Sequence, residues 1–135
     1  MADWVTTFWL PDQPPRKSNS RKVVRIRGRT RVIKSAKARA WTARALAEMR
    51  SIGNLQLGSA DRPLRIVFEV FYETRRPDLS VELVLDAIEK AGVISNDRHV
   101  YEYTAHKFFS RERPGVLVSI GYLEDNRETA PNPIQ

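Results

Sequence analysis

The sequence contains no cysteine, and this absence excludes several kinds of site at once. Without cysteine there is no disulfide scaffold, no zinc site built on thiolates and no cysteine nucleophile. No apolar run approaches the ~18 residues that indicate a membrane span, and the short N-terminal segment carries Asp3, which is not typical of a secretory signal. We therefore expect a cytoplasmic protein with no membrane partner.

Acidic residues are almost absent from one long segment of the chain. Between Arg16 and Arg50 there are 13 Lys or Arg residues and one acid, Glu48, whereas nine acids accompany six bases between Asp61 and Glu102. The net charge is +7 and the isoelectric point is about 10.1. A basic domain of this size usually binds a polyanion, most often nucleic acid. The alternative is that the charge serves solubility or weak anion binding.

The pattern of apolar residues predicts one α+β domain with a mixed β-sheet and two main helices. We expect this domain to span residues 1–123, and the polar segment 124–135 to form a flexible tail. The predicted order is strand, hairpin, helix, strand, helix, strand, strand, over the segments "WVTTFWL", "KVVRIRGRTRVI", "SAKARAWTARALAEMR", "PLRIVFEVFYE", "DLSVELVLDAIEKAG", "VYEYTAHKFF" and "GVLVSIGYL".

Three local features sharpen this prediction. The strand in "PLRIVFEVFYE" is apolar on both faces, which is typical of a central strand. The first helix has Ser35 as its cap and an apolar stripe of Trp41, Ala45 and Met49. Alternation in the hairpin predicts that its arginines lie largely on one face, namely Arg25, Arg27, Arg29 and Arg31.

The acidic centre holds three carboxylates four positions apart, Asp78, Glu82 and Asp86. On a helix they would form one stripe of like charges, which repel by a few tenths of a kcal/mol per pair. The plain interpretation is a solvated helix face with Asp78 as the N-cap. A metal site is the alternative, because Asp78 follows the central strand and Asp97, in the turn after the helix, could fold back toward the stripe. Carboxylates facing a DNA backbone are unfavourable unless a divalent cation lies between them and the phosphate. Mg²⁺ and Mn²⁺ suit such oxygen ligands.

The segments "LPDQPPRKSNS", "IKSAKARAW" and "RRPD…LDAIEKAGVISNDRHV" together resemble the RusA family of Holliday junction resolvases, small endonucleases common in phages and prophages. The segment "LPDQPPRKSNS" is similar to the family's opening, and "IKSAKARAW" is similar to its strand that runs into a Ser-initiated helix. The central segment "RRPD…LDAIEKAGVISNDRHV" matches best, with 11 positions from Asp86 to Asp97. The resemblance covers Phe8 to Leu123 and implies a RusA-like fold, located in the bacterial host cytoplasm if a phage encodes it.

The resemblance also implies site residues. The family's active site has the pattern Asp-x-Asp-Asn-x-x-Lys and a later Asp, which Asp97 matches. Asp78 matches one of the paired acids, while the other acid and the lysine are missing from their usual positions. Glu82 is the first candidate for the missing carboxylate and Asp86 the second. The lysine's contact with a phosphate would pass to one of three cations: Lys34, Arg75 or Arg76.

The implied function is that of a homodimeric endodeoxyribonuclease that nicks two opposing strands of a four-way DNA junction. Mg²⁺, or alternatively Mn²⁺, would be held by Asp78, Glu82 and Asp97, with Asp86 as a further catalytic candidate. Trp4, Trp9 and Phe109 are candidates for the dimer interface, although core packing is the commoner use of such residues. The expected DNA contacts come from Arg16, Lys17, Arg21, Lys22, Arg25, Arg27, Arg29, Arg31, Lys34, Arg75 and Arg76.

Two other functions remain open at this stage. A non-catalytic protein that binds branched DNA with the same fold is supported by the incomplete motif. A basic RNA-binding protein is the weaker alternative, because the aromatic and glycine pattern of an RNA-recognition sheet is absent from the sequence.

Overall fold

The computed structural model describes residues 3–16 and 21–123, and in that part of the chain the predicted order of elements is confirmed. The predicted tail, 124–135, lies outside the described residues. No helix in the described part is long and apolar enough to cross a membrane. The elements are β1 (Trp4–Pro11), β2 (Arg21–Ile26), β3 (Arg29–Lys34), α1 (Ala36–Met49), β4 (Leu64–Tyr72), α2 (Glu82–Lys90), a 3₁₀ turn (Asp97–His99), β5 (Val100–Phe109) and β6 (Gly115–Tyr122).

The main sheet is mixed, with the strand order β1-β6-β4-β5. β4 and β5 are parallel and are joined by α2, whereas β6 is antiparallel to both of its neighbours, β1 and β4. β4 therefore lies inside the sheet, as predicted, and β5 forms an edge. In the described part of the chain, β2 and β3 pair only with each other, as a separate two-stranded sheet that we call the ribbon (residues 21–34).

The core lies between one face of the main sheet and the two helices. Alternate residues of β4 are buried from Leu64 to Tyr72, and the predicted stripe of Trp41, Ala45 and Met49 is buried on α1. α2 adds Val84 and Ile88. Each such aliphatic or aromatic side chain contributes about 1.5–3 kcal/mol by leaving water, so this face fixes the positions of both helices.

The start of α1 agrees with the prediction, and the start of α2 does not. The Ser35 side chain accepts a hydrogen bond from the Ala38 amide at 3.1 Å, which caps α1. The second helix begins only at Glu82, with Val81 at the cap position. Asp78 is therefore neither the N-cap nor part of a helical stripe. The reason is that the side chain of Tyr72 binds the backbone of residues 78 and 80 and holds this segment in a loop.

The prediction for the ribbon arginines is wrong. Arg25 pairs with Thr30, whereas Arg29 and Arg31 pair with Ile26 and Val24. Directly paired residues share a face, and faces alternate along each strand, so Arg25 lies on one face and Arg29 and Arg31 on the other. Arg27 lies in the two-residue turn with Gly28, where both have positive φ, 52° and 76°. With a two-residue turn, each odd-numbered residue of one strand pairs with an even-numbered residue of the other. Odd-numbered residues of the two strands therefore lie on opposite faces.

Candidate active site and DNA interface

The loop between β4 and α2 (residues 73–81, here the β4–α2 loop) displays one carboxylate on a fixed backbone. The buried Tyr72 hydroxyl donates to the Asp78 carbonyl oxygen at 3.2 Å and accepts from the Ser80 amide at 3.3 Å. Burial, with a smaller contribution from the charge of Asp78, raises the pKa of the Tyr72 hydroxyl above its ordinary value. The hydroxyl therefore stays protonated and keeps donating, while the Asp78 side chain lies exposed to solvent.

Cations surround the same loop. Lys107, on β5, donates from Nζ to the Arg75 carbonyl oxygen at 2.9 Å, and the Arg75 guanidinium lies over the Phe109 ring at 5.0 Å. Arg76 follows in the loop and is exposed. The sequence prediction included Arg75 and Arg76 but missed Lys107, which lies 29 positions after Asp78 in the chain. Only the parallel register of β4 and β5 brings it to this loop.

A cleft lined by three cations adjoins the β4–α2 loop. Its volume is about 530 Å³, and it is lined by Asp12, Gln13, Pro15, Arg16, Lys37, Ala40, Trp41 and Arg44. The Arg44 guanidinium pairs with the Asp12 carboxylate at 2.8 Å. The Gln13 side-chain oxygen accepts from the Glu73 amide at 2.6 Å, which ties the wall of the cleft to the first residue of the loop.

Glu82, the first residue of α2, is exposed beside the β4–α2 loop in the chain, whereas Asp86 and Asp97 lie in the second half of α2 and in the turn after it. Asp86 forms an ion pair with Lys34, with 2.6 Å between Oδ2 and Nζ. The Lys34 ammonium, a predicted phosphate contact, therefore binds this carboxylate. The Glu89 carboxylate accepts from the Asp97 amide at 3.1 Å, and the Asp97 side chain is exposed at the start of the 3₁₀ turn. Glu89 was not among the predicted site residues.

Within one chain, Asp97 and Asp78 lie far apart. Asp78 comes after the last residue of β4, and Asp97 comes before the first residue of β5. Because these strands are parallel and in register from Leu64 to Tyr72, the two acids lie at opposite ends of the sheet, about 25 Å of strand apart. Among residues 3–16 and 21–123 there is accordingly no group of three acidic or imidazole side chains placed to hold a metal ion. The expectation that the turn folds back onto the stripe is wrong for one chain.

The remaining predicted DNA contacts divide by location. Arg16 lines the cleft. The ribbon exposes Lys22, Arg25, Arg27, Arg29 and Arg31. Lys17 and the side chain of Arg21 lie outside the described residues, so those two predictions carry no structural outcome.

Comparison with known proteins agrees with the resemblance noted in the sequence. The family model described as endodeoxyribonuclease RusA matches residues 12–121. The chain is also 29% identical, over 116 residues, to the crossover junction endodeoxyribonuclease RusA of Aquifex aeolicus (strain VF5), covering 84% of this chain and 88% of that protein. The match includes both the β4–α2 loop and the turn that carries Asp97. The chain belongs to the RusA family of endodeoxyribonucleases.

Proposed function

We propose that this chain resolves four-way DNA junctions, as a homodimer that hydrolyses phosphodiester bonds with a divalent metal ion. One observation carries the proposal beyond family membership. The exposed Asp78 carboxylate stands on a backbone fixed by buried Tyr72, in a loop that Lys107 contacts through the Arg75 carbonyl and that Gln13 joins to a cationic cleft. A DNA strand held by these cations would present a phosphate to the carboxylate.

The donor set at the loop fits Mg²⁺. This ion is usually bound by one or two carboxylates, with waters and substrate phosphates completing the octahedron, so a three-carboxylate cage is not required. Asp78 and Glu82 are the two carboxylates that would hold it, and Mn²⁺ accepts the same oxygen ligands. When bound, such an ion polarises a phosphoryl oxygen and makes a water more acidic.

The protein's own groups would do the positioning. Lys107, Arg75 and Arg76 contact the phosphates on either side of the scissile bond and take the place of the family's lysine. Arg16, Lys37 and Arg44 hold the backbone of the same strand in the cleft. Tyr72 keeps the Asp78 backbone from moving when charge develops, because its two hydrogen bonds fix the loop. Charge held in place before the reaction contributes more than charge that must reorient.

The uncovered face of the main sheet supports the dimer. On the face opposite the helices, Trp9, Phe71 and Phe108 form a row, with ring centroids 5.7 Å and 4.9 Å apart. Phe108 is 43% exposed, and Trp4, on the same face, is 38% exposed, whereas Phe109 pairs with Tyr72 and lies on the opposite face. Contiguous exposed aromatic surface of this kind marks interaction sites. A two-fold dimer gives two active centres for two cuts.

In such a dimer Asp97 acts from the partner subunit, because within one chain it lies at the far end of the sheet. This assignment has a direct test. Asp78→Asn and Asp97→Asn would each be inactive alone. Mixed after unfolding and refolding together, they would form heterodimers in which one centre keeps both acids, and nicking of one strand would return. No recovery, with heterodimers verified by mass spectrometry, would exclude a centre shared between subunits.

The primary experiment compares cleavage of a synthetic four-way junction, a duplex and a single strand. We expect paired nicks in the junction with Mg²⁺, none with EDTA, and little cleavage of the other two substrates. Junction binding without nicking in either Mg²⁺ or Mn²⁺ would instead support the second candidate, a non-catalytic protein that binds branched DNA. That candidate is favoured by one observation, the lack of a three-acid group in the described part of one chain.

A further inference from the structure

Within residues 3–16 and 21–123, the side-chain bonds that anchor the ribbon lie at its base, and both of its faces carry exposed residues. At the base, the Lys34 side chain pairs with Asp86, and the Arg39 guanidinium donates to the Lys34 carbonyl oxygen at 3.1 Å. Farther out, Val23 and Val32 are direct cross-strand partners and remain 66% and 62% exposed. The ribbon therefore presents an apolar pair to solvent on a sheet of only two strands.

A two-stranded sheet without cover is marginally stable in water. Its valines are good strand formers, but they gain stability only when another surface removes them from water. The ribbon is thus suited to a partner that covers it.

Charge decides which partner this is. Residues 21–34 contain seven cations and no acid, namely Arg21, Lys22, Arg25, Arg27, Arg29, Arg31 and Lys34. A second ribbon of the same charge would be repelled, and an apolar protein groove would leave these cations unpaired. A polyanion with a slot between two rows of negative charge fits both the cations and the apolar pair.

The dimensions of the ribbon match one such slot. Six residues per strand give a length of about 20 Å, and the two strands lie about 5 Å apart. The major groove of duplex DNA is about 12 Å wide and admits a two-stranded ribbon, whereas the minor groove, at about 6 Å, does not.

We propose that the ribbon inserts into the major groove of one duplex arm of the branched DNA. This inference rests on the proposed function, because it assigns a contact to the same substrate. The face with Val23 and Val32 turns to the groove floor, where the methyl groups lie against bases, and Arg25 shares that face. Arg29 and Arg31, on the opposite face, reach outward to the phosphates on the groove walls. The split of arginines between the two faces is what a ribbon between two phosphate rows requires.

Chemical footprinting tests the groove directly. Dimethyl sulfate methylates guanine N7 in the major groove and adenine N3 in the minor groove. On a junction bound in EDTA, we expect guanines in the arms to be protected and adenines to react as in free DNA. Binding is verified by gel shift in the same buffer.

Because the chain has no cysteine, one introduced thiol can be modified after the protein has folded. Val32→Cys, coupled to a long polyethylene glycol maleimide, would block insertion of the ribbon. We expect the junction Kd to rise at least about tenfold and the guanine protection to disappear. The matched control is Ser51→Cys with the same adduct, at an exposed uncharged position after α1, which should change Kd less than about twofold.

The outcomes separate this inference from the proposed function. If the unmodified protein fails to bind and cut the junction, the proposed function fails and the ribbon inference with it. If it binds and cuts while guanine N7 stays reactive, or while the Val32→Cys adduct binds like the control, only the ribbon inference is overturned. Protection at adenine N3 alone would also overturn it, since it would place the protein in the minor groove.

Discussion

The two ends of α2 carry the same kinds of residue and use them differently. At the first end, Asp78 and Glu82 accompany Arg75, Arg76 and Lys107, and a buried tyrosine binds the backbone that displays Asp78. At the second end, acids form structural bonds: Asp86 binds Lys34 and Glu89 binds the Asp97 amide. The comparison teaches that exposure on a fixed backbone, rather than clustering, distinguishes the acids that would act in catalysis, namely Asp78 in the loop and Asp97 in the turn.

The largest expected effect tests the first end itself. Asp78→Asn removes the charge that would hold the metal ion, so junction cleavage should fall about a thousandfold, from the loss of several kcal/mol of transition-state stabilisation. Gel shifts should show nearly unchanged junction binding, because the arginines that bind phosphate remain. Cleavage within a few fold of wild type would show that the centre lies elsewhere.

A second test compares cations from the two ends. Lys107→Met should lower the cleavage rate about tenfold, because one charge-assisted contact with a phosphate is lost. The matched control is Lys90→Met at the end of α2, an exposed lysine of the same size. Single-turnover rates on the junction measure both. Equal losses in the two variants would mean that only net charge matters.

A third test removes the support of the loop. Tyr72→Phe deletes the hydroxyl that bridges residues 78 and 80, and two hydrogen bonds of about 1 kcal/mol each should be lost from the free energy of unfolding. Denaturant titration measures the loss. An unchanged midpoint would mean that the loop needs no support from the tyrosine.

The same variant tests the pH dependence. The Tyr72 pKa is raised in the folded protein, so the folded state keeps a proton that the unfolded state releases near pH 10.0. Stability from this group is complete below that pH and declines as pH rises through the folded pKa. The wild-type curve should therefore fall more steeply above pH 10 than the curve of Tyr72→Phe.

The smallest effect is expected at the second end. The Lys34–Asp86 pair is 33% and 50% exposed, so solvent screens it, and Asp86→Asn should lower the free energy of unfolding by about 1 kcal/mol or less. Thermal denaturation at two salt concentrations measures this, and the difference from wild type should shrink with added salt. A larger loss would mean that the ribbon depends on this pair for its position.

Local patterns in the sequence predicted most of the fold. Ser35 and the stripe through Trp41 and Met49 define α1 from neighbours within a few turns, and alternation from Leu64 to Tyr72 defines β4. Asp97 was a candidate on two grounds, its place in the turn after the acidic helix and its match to the later Asp of the family's pattern.

The failures have different physical causes, and the most consequential is that local periodicity does not determine how distant segments pair. The parallel register of β4 and β5 separates Asp97 from Asp78 and brings Lys107 to the loop. α2 begins at Glu82 rather than just after Asp78, because the Tyr72 side chain of the preceding strand binds the loop backbone. The faces on which the ribbon arginines lie depend on the length of the turn at Gly28. A two-residue turn puts Arg25 on one face and Arg29 and Arg31 on the other.

The bond between the Gln13 side chain and the Glu73 amide has a consequence for how substrate is used. Under the proposed function, a DNA strand bound among Arg16, Lys37 and Arg44 would press on a cleft wall that Gln13 joins to the backbone leading to Asp78. Binding free energy gained far from the scissile bond can thereby offset the cost of aligning the reacting groups. Shortened junction arms that no longer reach the cleft should lower kcat as well as affinity.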